Sequence, residues 1–255
     1  MIDPSAGGNP YPIHPCTAAN RPRMTRQLDL VELLHLLGHE LRSPAGVMLG
    51  YLRMLQEGRF ADEADRLRIY DKMRAALARV TGLGEAVSQL TTWVEPRERD
   101  AGAADARELL DRSAAAARSA LDRPFESRMS VASGTARLRV LDGQALEAAI
   151  AAVIVATARE SGDSPVVVRA SVRNDREPAV EVVVGPQTRI DAEPPLWDEA
   201  AEEFSIARGG MGMSLVLAIA VLEAHAARVW SIGGARSLAG LRLPIASVKN
   251  EEHQS

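Results

Sequence analysis

The sequence predicts an α+β protein in which an N-terminal antiparallel helical hairpin precedes an α/β sandwich. Over residues 24–96, apolar side chains recur at helical spacing in two long segments. Over residues 105–248, helical patterns alternate with short runs rich in β-branched residues, and a charged stretch over residues 97–104 links the two regions. The chain has 255 residues, which is enough for two small domains.

Residues 1–23 are predicted to form a disordered leader, and residues 249–255 a short tail. The leader is rich in proline and glycine, a composition that sustains neither a helix nor a core. It carries the only cysteine of the chain, Cys16, which has no partner for a disulfide and therefore favours a reducing compartment. The leader has no secretory signal and no apolar segment is long enough to span a bilayer, so we expect a cytoplasmic protein without membrane contact.

The first long segment, over residues 28–55, predicts one amphipathic helix. Pro44 lies inside it and should bend the helix, because proline removes an intrahelical hydrogen bond. The apolar stripe continues beyond the proline, and its members are Leu30, Leu34, Leu37, Leu41, Met48, Leu52 and Leu55.

A second helix should follow a short turn. Gly58 is placed to end the first helix and Asp62 to cap the second. The apolar positions of the second helix are Ile69, Met73, Leu77, Val80, Val87 and Leu90. A hairpin with one apolar stripe per helix cannot bury its faces alone, so we expect two copies to form a dimeric four-helix bundle, which makes the protein a homodimer.

The second region predicts helices on one face of a mainly antiparallel sheet. Helices are expected over residues 106–121, 144–159 and 214–225, and a glycine-rich loop over residues 209–212. Strands are expected near Met129, over residues 136–140, 166–172 and 180–184, and near Val229 and Leu241.

The net charge and the spacing of possible metal ligands argue against nucleic-acid binding and against a metal site. The net charge is −4 and the pI about 5.8, which differs from the strongly basic balance of nucleic-acid-binding proteins. The five histidines and single cysteine show no paired ligand spacing. We therefore expect neither a nucleic-acid partner nor a metal site.

His39 is the first residue with candidate chemistry. It lies opposite the apolar stripe of its helix, with Glu40 beside it and Ser43 one turn further on. A solvent-facing imidazole can attack phosphorus when a neighbouring carboxylate holds its second ring nitrogen. An exposed histidine is more often merely solvated, and His35 on the same flank is interpreted in that way.

The string HELRSP from His39 to Pro44, followed by Gly50 and Tyr51, resembles the H-box of sensor histidine kinases. The resemblance implies that His39 is the phosphorylated residue and that Glu40 assists phosphotransfer. It also implies that Ser43 orients water for the dephosphorylation of a response regulator, although the family usually has threonine or asparagine there.

The segment GGMGMSLVLAIAVLEAHAARVW, residues 209–230, resembles the glycine-rich loop, helix and strand of the ATP-binding domain in the same family. Gly210 and Gly212 match two glycines of that loop, and Ser214 replaces a third. Backbone N–H groups of such a loop can approach phosphates at the start of a helix.

The rest of the nucleotide site looks degenerate. If Asp142 opens the family's N-box helix, Ala152 and Ala156 stand where two asparagines would bind magnesium and phosphate. Gly185 likewise replaces the aspartate that binds adenine, and Gln187 and Arg189 replace two glycines after it. No DxGxG string occurs, and Pro194 and Pro195 lie in a segment that is short for an ATP lid. Losing three polar contacts should weaken ATP binding by about a thousandfold, so no cofactor is expected.

These resemblances predict a histidine phosphotransfer protein that exchanges phosphoryl groups between His39 and response-regulator receiver domains without ATP-dependent autophosphorylation. Three alternatives remain open. They are a response-regulator phosphatase that uses Ser43, a non-catalytic adaptor of a kinase or regulator, and a divergent but active soluble histidine kinase.

Overall fold

The computed structural model describes residues 30–95, 100–174, 177–192, 201–232 and 235–246. The predicted leader, the predicted tail and the segment with Pro194, Pro195 and Trp197 lie outside the described residues. An N-terminal helical hairpin is followed by an α/β sandwich, as the sequence predicts. No described helix combines the length and the apolar character that crossing a membrane requires.

The first helix, α1, spans Leu30–Gln56 and keeps Pro44 inside it as a buried residue. It ends at a turn where Gly58 has a φ of +65°, a backbone conformation that glycine adopts without strain. The Arg59 N–H donates to the Met54 carbonyl over 2.9 Å, which closes the last turn. The predicted single helix and its stop at Gly58 are both confirmed.

The second helix, α2, spans Glu63–Val94 and begins at the predicted cap. The Asp62 carboxylate accepts a hydrogen bond from the Asp65 N–H over 2.7 Å. Of the predicted apolar stripe, Leu77 is 55% exposed in the single chain. The buried positions repeat every seven residues and are Ile69, Ala76, Leu83 and Leu90. Two helices that pack side by side with nearly aligned axes bury positions that recur every seven residues. Ala76 and Leu83 therefore also belong to the buried stripe of α2.

The second domain contains four helices, eight strands and a short 3₁₀ turn, Arg208–Gly210, within the described residues. The helices are α3 (Ala106–Ser119), α4 (Gly143–Arg159), α5 (Gln187–Ala192) and α6 (Met213–Ala224). The strands are β1 (Gly102–Asp105), β2 (Phe125–Met129), β3 (Arg137–Val140), β4 (Val166–Arg173), β5 (Ala179–Pro186), β6 (Ala201–Glu203), β7 (Arg228–Ile232) and β8 (Ala235–Pro244).

Six strands form one sheet in the order β2-β4-β5-β8-β7-β6, and β1 pairs with β3 in a separate ribbon. Only the β2–β4 pair of the six-stranded sheet is parallel. Alternate residues of β4 and β5 point to one face of the sheet, and this face packs against α3, α4 and α6. The three long helices therefore lie on one face of a mainly antiparallel sheet, as predicted, whereas Ile190 of α5 packs on the other face with Val167 and Val183.

Three elements differ from the sequence prediction. Strand β1 begins at Gly102, inside the predicted linker of residues 97–104, because its backbone pairs with β3. Residues Gln187–Ala192 form helix α5, and neither this helix nor β6 was predicted. Short elements of this kind contain too few residues to show a hydrophobic period, so whether they form depends on the elements that they contact in the folded chain.

The hairpin packs on the second domain through α2 and α6. Leu83 and Leu90 of α2 share one apolar cluster with residues of the second domain, which are Ile206, Met213, Val216 and Ala220. Near the end of α2, the ring of Trp93 lies 5.6 Å from that of His225. These contacts fix where the hairpin sits against the start and the end of α6.

His225 is buried and joins three helices. Its Nδ1 donates to the Val221 carbonyl over 2.7 Å, because a carbonyl can only accept. Its Nε2 therefore accepts the Asp142 N–H over 3.3 Å, at the start of α4. The histidine at the end of α6 thus has a structural role.

We expect His225→Ala to lower the free energy of unfolding by about 2–4 kcal/mol, because it leaves a cavity and removes the acceptor of the Asp142 N–H. Urea denaturation followed by circular dichroism measures this loss. His35→Ala, at an exposed position of α1, is the matched control and should change stability by less than about 0.5 kcal/mol. Equal stabilities of the two variants would contradict the assignment.

Candidate functional site

The three candidate catalytic residues, His39, Glu40 and Ser43, lie on one stretch of α1 but in different surroundings. His39 and Ser43 are exposed, and Glu40 is half-buried. The Glu40 carboxylate faces Gly212, the residue that precedes α6. A Cβ atom built on Gly212 would lie 2.4 Å from Glu40 Oε2. The acid that follows His39 therefore contacts the glycine-rich loop of the second domain.

A cavity of about 310 Å³ opens between α1, α2 and this loop. Its lining residues are Glu40, Ser43, Pro44, Arg79, Gly82, Leu83, Ala86, Met211, Met213 and Ser214. Two of the three predicted site residues, Glu40 and Ser43, thus share one cavity. His39 is not among the residues that line it, although it stands one helical turn before Ser43 on the same exposed flank of α1.

The glycine-rich loop contacts α4 directly at Gly209. This glycine has a φ of +57°, and a Cβ atom on it would lie 2.7 Å from both Cα and O of Ala156. Its N–H donates to the Glu160 carboxylate over 2.8 Å, and its carbonyl accepts from Arg159 over 3.2 Å. Both polar groups of this peptide backbone are therefore committed to the end of α4.

The loop is also anchored from the sheet side by Arg208. The guanidinium group of this buried residue donates to the Leu238 carbonyl over 3.3 Å and to Ser231 Oγ over 2.8 Å. It also stacks on the ring of Phe204, with 4.5 Å between the guanidinium carbon and the ring centroid. Contacts on both sides therefore fix the position of the loop.

The two alanines that stand at the expected asparagine positions have different surroundings. Ala156 is fully buried beneath Gly209. Ala152 is partly exposed and lines a second cavity of about 290 Å³, between α2, α4 and α6. Gly210 has a φ of +59° with no atom within 4 Å of a built Cβ, so it faces open space.

The position of the expected adenine-binding aspartate is closed by Leu238. A Cβ atom on Gly185 would lie 2.3 Å from Leu238 Cδ2 and 3.0 Å from the Ser237 carbonyl oxygen. Leu238 is itself buried, so any side chain at residue 185 requires it to move. Gln187 and Arg189, which replace the two glycines expected after it, lie in α5.

The sequence interpretation missed Arg79 and Glu160. Glu160 follows α4 immediately and carries no local sign that it binds a loop far away in the chain. For Arg79 the sequence does contain one signal. No carboxylate stands three or four residues from it on α2, so it has no partner for an ion pair along the helix.

Among solved structures, the chain is similar to histidine kinase AdeS of Acinetobacter baumannii, with 16% sequence identity and a TM-score of 0.54. That match covers 82% of this chain and 97% of AdeS. The chain has the fold of a histidine kinase. A second match is histidine kinase ThkA, crystallised with response regulator protein TrrA, with 12% identity, a TM-score of 0.54 and coverage of 84% of this chain and 61% of ThkA. No protein-family model and no curated protein matches this histidine-kinase-like chain in sequence.

Two glycines of the loop form a matched pair for testing its contact with α4. Gly209→Ala and Gly210→Ala both place a side chain at a positive φ, at a cost of about 1–2 kcal/mol. Only Gly209→Ala also overlaps the backbone of α4, so we expect it to lose at least about 2 kcal/mol more in urea unfolding. Equal losses would mean that the loop does not rest on α4.

Proposed function

We propose that this protein is a histidine phosphotransfer protein of two-component signalling. It accepts a phosphoryl group on His39 from one receiver domain and donates it to another. The observation that carries the proposal is the position of His39. The imidazole is exposed on α1, within the HELRSP string, in a chain with the histidine kinase fold. An exposed imidazole is accessible to a partner that carries the phosphoryl group.

We further propose that His39 is not phosphorylated from ATP. In kinases of this fold the glycine-rich loop would cradle phosphates with its backbone N–H groups. Here the Gly209 N–H donates to Glu160 and the loop rests on Ala156. Leu238 occupies the space beside Gly185, and no asparagine follows Asn20 before Asn174. The second domain then serves as a docking platform for the hairpin.

A homodimer is proposed from the open face of the hairpin. In the single chain, several large apolar residues of both helices are between 38% and 66% exposed, among them Leu34, Leu41, Leu49, Leu52, Leu67 and Leu77. An apolar surface of this extent on a helical hairpin favours burial against a second copy as a four-helix bundle.

Receiver domains are the proposed partners. The similarity to ThkA supports this part of the proposal, because that kinase was crystallised with a response regulator protein. The exposed side of α1 around His39 offers the receiver a surface that the second domain leaves uncovered.

The decisive experiment supplies purified protein with radiolabelled ATP and magnesium, or with a panel of receiver domains phosphorylated by radiolabelled acetyl phosphate. We expect label on the wild type from a receiver, none from ATP, and no label on His39→Gln from either source. His35→Gln is the matched control and should be labelled like the wild type.

Other outcomes would select another candidate. Label on His39 directly from ATP would make the protein an active histidine kinase. The absence of both label and dephosphorylation with every receiver would leave a non-catalytic adaptor.

A response-regulator phosphatase is the second candidate, and the cavity favours it. Ser43 and Glu40 line the cavity together, whereas His39 does not. A hydroxyl and a carboxylate beside one space can orient and deprotonate a water molecule.

For this candidate we expect Ser43→Ala to slow the dephosphorylation of the receiver by about tenfold to a hundredfold, with labelling of His39 unchanged. Ser88→Ala, at an exposed position of α2, is the control and should behave like the wild type. A loss of dephosphorylation in His39→Gln alone would instead assign hydrolysis to the phosphohistidine.

A further inference from the structure

Arg79 differs from the other arginines of α2 in its charge environment. Arg66, Arg68 and Arg74 each pair with a carboxylate three residues earlier, which is Glu63, Asp65 or Asp71, at 2.6, 3.2 and 2.6 Å respectively. Arg79 has Ala76 at the corresponding position and Gly82 three residues later. Within the described part of the chain it forms no ion pair.

This unpaired cation lines the cavity that contains Glu40 and Ser43. It is the only lysine or arginine among the ten described residues that line the cavity, and Glu40 is the only acid. The remaining polar side chains are the hydroxyls of Ser43 and Ser214. A cation, a carboxylate and hydroxyls around a space of about 310 Å³ suit a group that is itself anionic and reacts with water.

We propose that Arg79 binds the phosphoryl group of a phosphorylated receiver while that group is hydrolysed at this cavity. The inference rests on the proposed function, since it requires a receiver as substrate. It adds a cation from α2 to the two polar H-box residues that line the cavity.

The step is the hydrolysis of a carboxyl phosphate. Water, oriented by Ser43, attacks phosphorus, and the bond from phosphorus to the receiver's carboxylate oxygen breaks. The carboxylate leaves with the electron pair, one proton of the water passes to Glu40, and orthophosphate is the second product. The guanidinium of Arg79 neutralises charge on the phosphoryl oxygens, which is how arginine accelerates phosphoryl transfer elsewhere.

The role of Arg79 also differs from that of the residue that accepts the phosphoryl group in transfer. The imidazole of His39 is not among the residues that line the cavity, and Arg79 stands on the other helix of the hairpin. Removing the guanidinium should therefore slow hydrolysis more than transfer. A residue that only helped the receiver to dock would affect both reactions through the KM for the receiver.

The test uses the full chain and receiver domains phosphorylated with radiolabelled acetyl phosphate. Arg79→Gln should lower kcat for dephosphorylation by about tenfold to a hundredfold, with the KM within about threefold and labelling of His39 within about threefold. Arg79→Lys should recover part of the rate, because it keeps the charge but loses the planar fork. Arg74→Gln is the matched control on the same helix and should leave the rate unchanged, and circular dichroism verifies that all variants are folded.

Two results would overturn the inference while leaving the proposed function intact. One is a wild-type dephosphorylation rate in Arg79→Gln together with normal labelling of His39. The other is a rise in KM without a fall in kcat, which would make Arg79 a docking residue. If no receiver is dephosphorylated and none labels His39, the proposed function and this inference both fail.

Discussion

The candidate site of this protein depends on the close approach of one glycine-rich loop to two helices. At Gly209 the backbone rests on α4, and at Gly212 it faces the Glu40 carboxylate of α1. Both glycines have a positive φ. A Cβ atom at Gly209 would overlap the backbone of α4, and one at Gly212 would displace the Glu40 carboxylate. The loop therefore meets α1 of the hairpin and α4 of the second domain at the same time, directly before the N-terminus of α6.

Apolar packing then sets the geometry around that contact. The seven-residue repeat of α2 places Leu83 and Leu90 against α6, and the Trp93–His225 contact fixes the far end of the helix. Because α6 starts at the loop, docking of α2 along α6 also decides where α1 and α2 meet the loop. The cavity beside Ser43 follows from this arrangement, since Gly82 and Ala86 are too small to fill the space between the helices.

Electrostatics gives the cavity its chemical character. Most arginines of α2 neutralise a neighbouring carboxylate on the solvent face, where an ion pair contributes little to stability. Arg79 and Glu40 are instead placed at the same cavity without being paired. Glu40 is half-buried there, whereas Arg79 and Ser43 are exposed, so the cation and the hydroxyl are accessible to a phosphoryl group that arrives from solution.

The sequence by itself determined the hairpin, the caps at Gly58 and Asp62, the mainly antiparallel sheet and the exposure of His39, because these depend on local periodicity and on single turn residues. It also predicted Glu40 and Ser43 as partners of His39, roles that remain to be tested. The tertiary structure alone decided that Glu40 faces Gly212, that Gly209 covers Ala156 and that Leu238 lies beside Gly185. Such contacts join residues far apart in the chain. They depend on how complete elements pack, and no local pattern of residues encodes them.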